Sequence, residues 1–209
     1  MQSNIIIDRD MLLSYLGYKG QSINALLNEK IEKMTELCYK IVRLKNIYKE
    51  FEIGNDYILK DTLFYLEGNS IKEHLKGCKN VILLAATCGQ DLDMEIQKLF
   101  ITDKTSALIL DTCGSVAIES YLDNICKDFK NATERFSCGY GDFPLSANKA
   151  ICQILKADKM IGLNVNSSYL LSPKKSVTAL IGLGVVKKPP LCDHKCQLCT
   201  LKECLYNKK

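Results

Sequence analysis

Long apolar runs are absent from this sequence of 209 residues. The longest stretch, Val81 to Ala86, is far short of the roughly 20 residues that span a bilayer. The amino-terminal run from Ile5 to Ile7 follows no basic segment, whereas a secretory leader has about seven or more apolar residues behind a basic start. We therefore expect a cytoplasmic protein that has no membrane partner.

Tryptophan is missing too, and so is any strong charge imbalance. The net charge is +4, and Lys45 and Lys49 lie close to Glu50 and Glu52. Mixed charge of this kind is typical of a solvated face, so nucleic-acid binding is not predicted. Hydrophobic residues make up 47% and charged residues 25% of the chain, which is the balance of a globular domain.

Apolar periodicity predicts helices mixed with clustered strands. Helices are expected over 9–17, from an N-cap at Ser22 to about 41, from Asn69 or Ser70 to near 77, around 92–100, over 104–129 and over 146–156. Strands are expected as two or three segments within 44–66, at 81–87 and at 176–186, and 131–144 is expected to be a loop. This order favours an α+β fold. Gly114 inside the long helix costs about 1 kcal/mol relative to Ala, which indicates close packing or a break.

A glycine-rich segment, Arg135-Phe136-Ser137-Cys138-Gly139-Tyr140-Gly141-Asp142-Phe143-Pro144, has an arginine four residues before a Gly-Tyr pair. It resembles the Arg-x-x-x-Gly-Tyr-Pro motif of the activation domain of cobalamin-dependent methionine synthase. Segments 81–89, 111–119 and 172–182 resemble stretches of the stand-alone members of that family in the same order. The resemblance covers roughly residues 60–186 and implies an antiparallel sheet flanked by helices.

The resemblance implies that the segment binds S-adenosylmethionine. Arg135 would pair with the ligand carboxylate through its planar guanidinium, and Glu119 would meet the ammonium group. Tyr140 offers a ring and a hydroxyl, and Gly139 allows close approach of the backbone because it lacks Cβ. Ile181 and Gly182 match positions that contact the nucleoside in the family.

This sequence departs from the family motif at one position. Gly141 stands where the family has proline, and Pro144 comes three residues later, so a looser loop is expected. The acidic residue that full-length enzymes place near the start of the domain has no clear match. Asp8 and Asp10 are the candidates.

The function implied by the resemblance is reactivation of a corrinoid enzyme. Such a domain presents the methyl group of S-adenosylmethionine to reduced cobalt. His74 and His194 are isolated, so no cobalt-ligating motif is recognisable. Cobalamin would therefore be carried by a partner, either a corrinoid-binding methionine synthase or a related corrinoid protein. Flavodoxin or ferredoxin is a candidate electron donor.

Four cysteines cluster near the carboxyl terminus, after Pro189 and Pro190. They are Cys192, Cys196, Cys199 and Cys204. Their close spacing suits a tetrahedral zinc site or an iron–sulfur cluster, and the alternative is a flexible tail with free thiols. The first three have the spacing of radical S-adenosylmethionine enzymes, but a short tail lacks the surrounding barrel. We expect an activation-like domain over 1–188 and a metal-binding tail over 189–209.

Two other classes of protein remain open on the sequence. A metal-binding adaptor without a small-molecule ligand would depend on the cysteine tail alone. An autonomous S-adenosylmethionine-dependent methyltransferase would have a strand and a glycine-rich loop in a doubly wound fold. Gly89-Gln90-Asp91 is a poor version of that loop.

Overall fold

The computed structural model describes residues 5–184, which form an antiparallel sheet between two layers of helices. The helices are α1 (Arg9–Tyr15), α2 (Ala25–Ile41), α3 (Asn69–His74), α4 (Gln90–Thr102), α5 (Lys104–Cys126), α6 (Ala147–Leu155) and α7 (Ala157–Ile161). The strands are β1 (Lys45–Glu52), β2 (Asn80–Thr87), β3 (Phe136–Ser137), β4 (Asn164–Val165), β5 (Leu171–Ser172) and β6 (Ser176–Leu183). The predicted α+β class is confirmed.

The main sheet has the strand order β1-β2-β6-β3, with each neighbouring pair antiparallel. Strand β2 is central, and its residues are apolar on both sides because helices cover both faces. Ile82 and Leu84 pack into a core with α2, α4 and α5, while Val81 and Leu83 pack into a second core that includes residues of α3, α6 and α7. The antiparallel sheet excludes a doubly wound methyltransferase fold for residues 5–184.

The long helix α5 runs unbroken through Gly114. A Cβ atom at this position would lie 2.6 Å from Leu92 Cδ2 on α4 and 3.2 Å from Lys175 Cγ. Of the two readings of Gly114, close packing is therefore correct. None of the helices within residues 5–184 is long and apolar enough to cross a membrane.

Two of the sequence-based boundaries are wrong. Asn24, not Ser22, caps α2, because its side chain accepts a hydrogen bond from the Leu27 amide. Only β1 is a full strand within 44–66; the rest consists of turns and isolated bridges. Tyr57 and Asp61 both have φ of 61° there, a left-handed conformation that interrupts an extended strand. Strand β3 was expected to be loop, and the short α7, β4 and β5 were not predicted.

Candidate functional site

The candidate loop, residues 135–144, begins with a partly exposed ion-pair cluster at the edge of the sheet. Arg135 Nη2 lies 2.7 Å from Glu119 Oε2, and Nη1 lies 2.7 Å from Asp123 Oδ1. Both carboxylates belong to α5, one helical turn apart. Burial disfavours the charged guanidinium, but the hydrogen bond that Arg135 donates to Asp123 and the negative charge of Glu119 outweigh it, so the pKa of Arg135 is raised. Arg135 therefore stays charged and fixed against α5.

A β-bulge places Arg135 in this position. Ala132 pairs with Leu183 and Phe136 pairs with Leu180. Between these pairs the loop strand has residues 133–135, whereas β6 has only 181 and 182. One extra residue on one strand is the definition of a bulge, which re-aims the side chains beside it.

Ile181 and Gly182 lie in β6, next to the bulge. The Gly182 amide donates to Thr133 Oγ1 and its carbonyl accepts from the Thr133 amide, both at 2.9 Å. The Ile181 side chain is 1% exposed, and a Cβ at Gly182 would collide with Cys78 Sγ. These residues therefore form the part of β6 that lies opposite the bulge. Their contact with a nucleoside remains a prediction.

Gly139, Tyr140 and Gly141 form a tight turn at the surface. The Gly139 amide donates to the Phe143 carbonyl at 2.9 Å, and the Phe143 amide donates to the Tyr140 carbonyl at 3.1 Å. Tyr140 is 64% exposed, and its ring packs edge-on against Phe136 with centroids 5.5 Å apart. The turn thus presents an aromatic ring to solvent, five residues after Arg135 on the same loop.

The replacement of the family proline by Gly141 has a local structural reason. Gly141 has φ of 58°, which proline cannot adopt because its ring fixes φ near −65°. A Cβ at Gly141 would also lie 2.5 Å from Ser70 Oγ. The expected looser loop is therefore not what the structure has: this turn is hydrogen-bonded and packed against α3.

Asp142 joins the turn to α3. Its carboxylate oxygens accept from the amides of Asn69 at 2.7 Å and Ser70 at 2.8 Å. These backbone hydrogen bonds, first from Ser70 and then from Asn69, lower the pKa of Asp142 to about 2. Asp142 is therefore ionised at neutral pH and supplies the cap that α3 lacks at Gly68.

His74, in the last turn of α3, holds the other end of the loop. Its Nε2 lies 2.9 Å from the Glu134 carbonyl oxygen. Since a carbonyl only accepts, His74 Nε2 carries the proton. Burial lowers the pKa of His74 and outweighs the opposing effect of that bond. The imidazole also packs against Phe136, with centroids 4.9 Å apart.

The structure brings Arg135 and Glu119 into direct contact and carries Tyr140 and Gly139 on the same loop. It also adds Asp123, Asp142 and His74, which sequence reasoning did not single out. Asp123 follows Glu119 by four residues in a helix, so the spacing could have indicated it. Asp142 and His74 act across 72 and 60 positions of sequence, and no local pattern reports such contacts.

The cysteines within residues 5–184 form no metal centre. Residues 5–184 contain no group of three or more His, Cys, Asp or Glu side chains placed to hold a metal ion. All seven cysteines in this range are free, and burial raises the pKa of Cys113 and of Cys138 to about 11. They act as small apolar side chains. The predicted ligands Cys192, Cys196, Cys199 and Cys204 lie outside the described residues.

A cavity of about 210 Å³ has no residue of the candidate loop in its lining, which consists of Ile7, Arg9, Leu12, Ile31, Glu32, Thr35 and Glu36. Asp8, beside it in sequence, accepts a hydrogen bond from the Met11 amide and caps α1. Asp8 therefore already has a structural role, and neither it nor Asp10 lines the cavity.

Comparison of the structure with solved structures shows which fold this is. The structure of this chain is similar to a crystal structure of the MetH reactivation domain bound to AdoHcy. The TM-score is 0.62, and the match covers 86% of this chain and 74% of that chain. The sequences are 13% identical over this match. The chain thus has the fold of a reactivation domain. No protein-family model matches the sequence, and no curated protein matches it either.

Proposed function

We propose that this protein binds S-adenosylmethionine at the candidate loop and supports the reductive methylation of a corrinoid that a partner protein carries. The observation that carries the proposal is the Arg135–Glu119–Asp123 cluster, on a loop that also carries the exposed ring of Tyr140. The protein that shares the fold was solved with AdoHcy, the demethylated form of that ligand.

The charges of the cluster suit this ligand. One guanidinium and two carboxylates leave a net charge of −1, which favours a ligand that bears an ammonium and a sulfonium. The guanidinium has five N–H donors. Two of its nitrogens each bond one carboxylate of α5, so donors remain for the ligand carboxylate. Glu119 is 38% exposed and can accept from the ammonium group.

The reaction supported in this way balances with one external electron. A low-potential donor, such as a flavodoxin or ferredoxin, reduces the partner's Co(II) corrinoid to Co(I). Co(I) then takes the methyl group of S-adenosylmethionine, which leaves as S-adenosylhomocysteine. The residues of this chain bind and orient the sulfonium, and that orientation is their contribution to the rate.

The proposal extends to the cysteine tail, on the strength of the sequence. Cys192, Cys196, Cys199 and Cys204 would ligate one iron–sulfur cluster or zinc ion. An adaptor function without a small-molecule ligand is the competing hypothesis. An autonomous methyltransferase is a weaker one, because residues 5–184 do not have the doubly wound fold expected for it.

Calorimetric titration with S-adenosylmethionine separates these readings. The expected result is saturable binding at about one site per chain. Methyl transfer is expected only after a Co(II) corrinoid protein and a low-potential reductant are added. An adaptor gives no heat. An autonomous enzyme turns over without a corrinoid partner. Failure to restore the methylated form of any corrinoid protein from the same organism would rule out the reactivation role.

A further inference from the structure

Helix α3 contacts the candidate loop at both of its ends, and this arrangement suggests a role for two residues outside the cluster. Resting on the function proposed above, we propose that Asp142 and His74 are positioning residues. They hold the loop against α3 in the conformation that binds the ligand. Neither residue is placed on the ligand itself; each acts through Tyr140 or Arg135.

The contact at the start of α3 is close and reciprocal. The Asp142 carboxylate accepts from the amides of Asn69 and Ser70, while the Asp142 amide lies 3.4 Å from Ser70 Oγ as its donor. Glycine on both sides permits this approach. A Cβ at Gly68 would lie 2.8 Å from the Asp142 carbonyl oxygen, and one at Gly141 would lie 2.8 Å from Ser70 Cβ. Any other residue at either position would force the turn away from the helix.

The contact at the end of α3 reaches Arg135 and Tyr140 by two routes. The bond from His74 to the Glu134 carbonyl fixes the residue directly before Arg135. The ring contact of His74 with Phe136 extends to Tyr140, because Phe136 packs against both rings. His74 therefore sets the backbone at the bulge and the orientation of the exposed ring.

The loop is thereby tied to both helix layers. Arg135 attaches it to α5 on one face of the sheet, while Asp142 and His74 attach it to α3 on the other. Strand β3, which lies between these attachments, is only two residues long. A pairing so short does not by itself hold a ten-residue loop in one conformation, so the attachments to α3 add to the internal hydrogen bonds of the turn in fixing its shape.

Hydrogen exchange tests this role without ligand. Asp142→Ala and His74→Ala are expected to accelerate amide exchange in peptides that span 134–144. Asn24→Ala is the matched control, because it removes the same kind of helix cap from α2 and is expected to leave those peptides unchanged. Unaltered exchange at 134–144 in both α3 variants overturns the proposal, even if the wild-type protein binds S-adenosylmethionine.

Affinity measurements test the functional consequence. If the binding-competent fraction of the loop falls to about a tenth, the apparent Kd rises about tenfold, which is the expected result for Asp142→Ala and His74→Ala. His74→Gln can still donate to the Glu134 carbonyl and should recover part of this loss, whereas His74→Phe keeps only the ring contact. Wild-type affinity in folded Asp142→Ala and His74→Ala proteins refutes the positioning role. No binding by the wild-type protein instead refutes the function proposed above, and exchange alone then decides whether α3 holds the loop.

Discussion

At the scale of single residues, Arg135 is the central group of the candidate site. Its side chain is 18% exposed and bonds two carboxylates of α5. Removal of a guanidinium from such a place has two effects. The ligand carboxylate loses its partner, and Glu119 and Asp123 face each other without a compensating charge.

We expect Arg135→Ala to weaken S-adenosylmethionine binding by about 1.5–3 kcal/mol, roughly 10- to 100-fold, because a charge-assisted hydrogen bond is lost. Calorimetry measures the change, and circular dichroism checks the fold. Arg43→Ala is the control, since Arg43 forms an exposed pair with Asp91 at 3.8 Å, and it should bind like wild type. A folded Arg135→Ala protein with unchanged affinity would contradict the proposed binding site.

The sequence revealed only part of this arrangement. The Gly-Tyr segment and Arg135 stand out because they resemble a family motif, in register with three other segments of the chain. The ion pair with Glu119 depends on a bulge and on how a helix packs across a sheet edge. Neither is visible in local periodicity, so the sequence predicts a ligand contact for Glu119 but not its ion pair with Arg135.

At the scale of elements, the packing of α5 against α4 depends on Gly114. Gly114→Val is expected to destabilise the protein by about 1–3 kcal/mol, because the added atoms overlap Leu92 and Lys175 in a packed layer. Urea unfolding measures the difference. Leu108→Val on the same helix is the control, since Leu108 is 55% exposed and should change stability little. Equal stability of the two variants would contradict the close packing.

Asp103, at the start of α5, is expected to make the free energy of unfolding depend on pH in the acidic range. Asp103 accepts from Lys30 and from Ser106, and these side-chain hydrogen bonds, in that order, lower its pKa to about 2. Because the pKa of this carboxyl is lower in the folded chain, it stabilises the fold at pH values above its pKa in the unfolded chain, near 3.9. That contribution is lost as pH falls through about 2.

Thermal unfolding between pH 5 and pH 2 tests this dependence. The melting temperature of Asp103→Asn should fall less over this range than that of wild type. Asp56→Asn, in a surface turn, should follow wild type, because no such pair holds its carboxylate. An identical acid profile for Asp103→Asn and wild type would show that the cap and the Lys30 pair contribute nothing.

Helices and central strands were more predictable than the other elements. Strands β2 and β6 and helices α4, α5 and α6 have long apolar patterns, and the structure confirms them within a few residues. The segment 53–66 has strand-like residues but forms turns and isolated bridges, in which Tyr57 and Asp61 have positive φ. Propensity alone cannot detect that outcome.

At the scale of the whole molecule, the sequence predicts an activation-like domain followed by a cysteine tail. The predicted ligand-binding residues all lie before Gly184, and the predicted metal ligands all lie after it. Truncation of the chain should therefore separate S-adenosylmethionine binding from metal binding.

Truncation after Pro190 is expected to remove one bound metal per chain and to leave S-adenosylmethionine affinity nearly unchanged. Protein purified without air and analysed for iron and zinc provides the test. A brown protein that absorbs broadly near roughly 400 nm would indicate an iron–sulfur cluster, whereas a zinc protein is colourless. If the intact protein carries neither metal, the four cysteines are free thiols and the metal assignment is wrong.

The bulge at Arg135 has a consequence for self-association. An edge strand with free amides and carbonyls is a template on which another chain can add. Here β3 offers two residues, and the bulge before them breaks the regular spacing that a foreign strand would have to match. At the opposite edge, β1 carries Lys45, Lys49, Glu50 and Glu52, whose charges oppose a dry pairing. The same extra residue that directs Arg135 to α5 thus also protects the β3 edge of the sheet against aggregation.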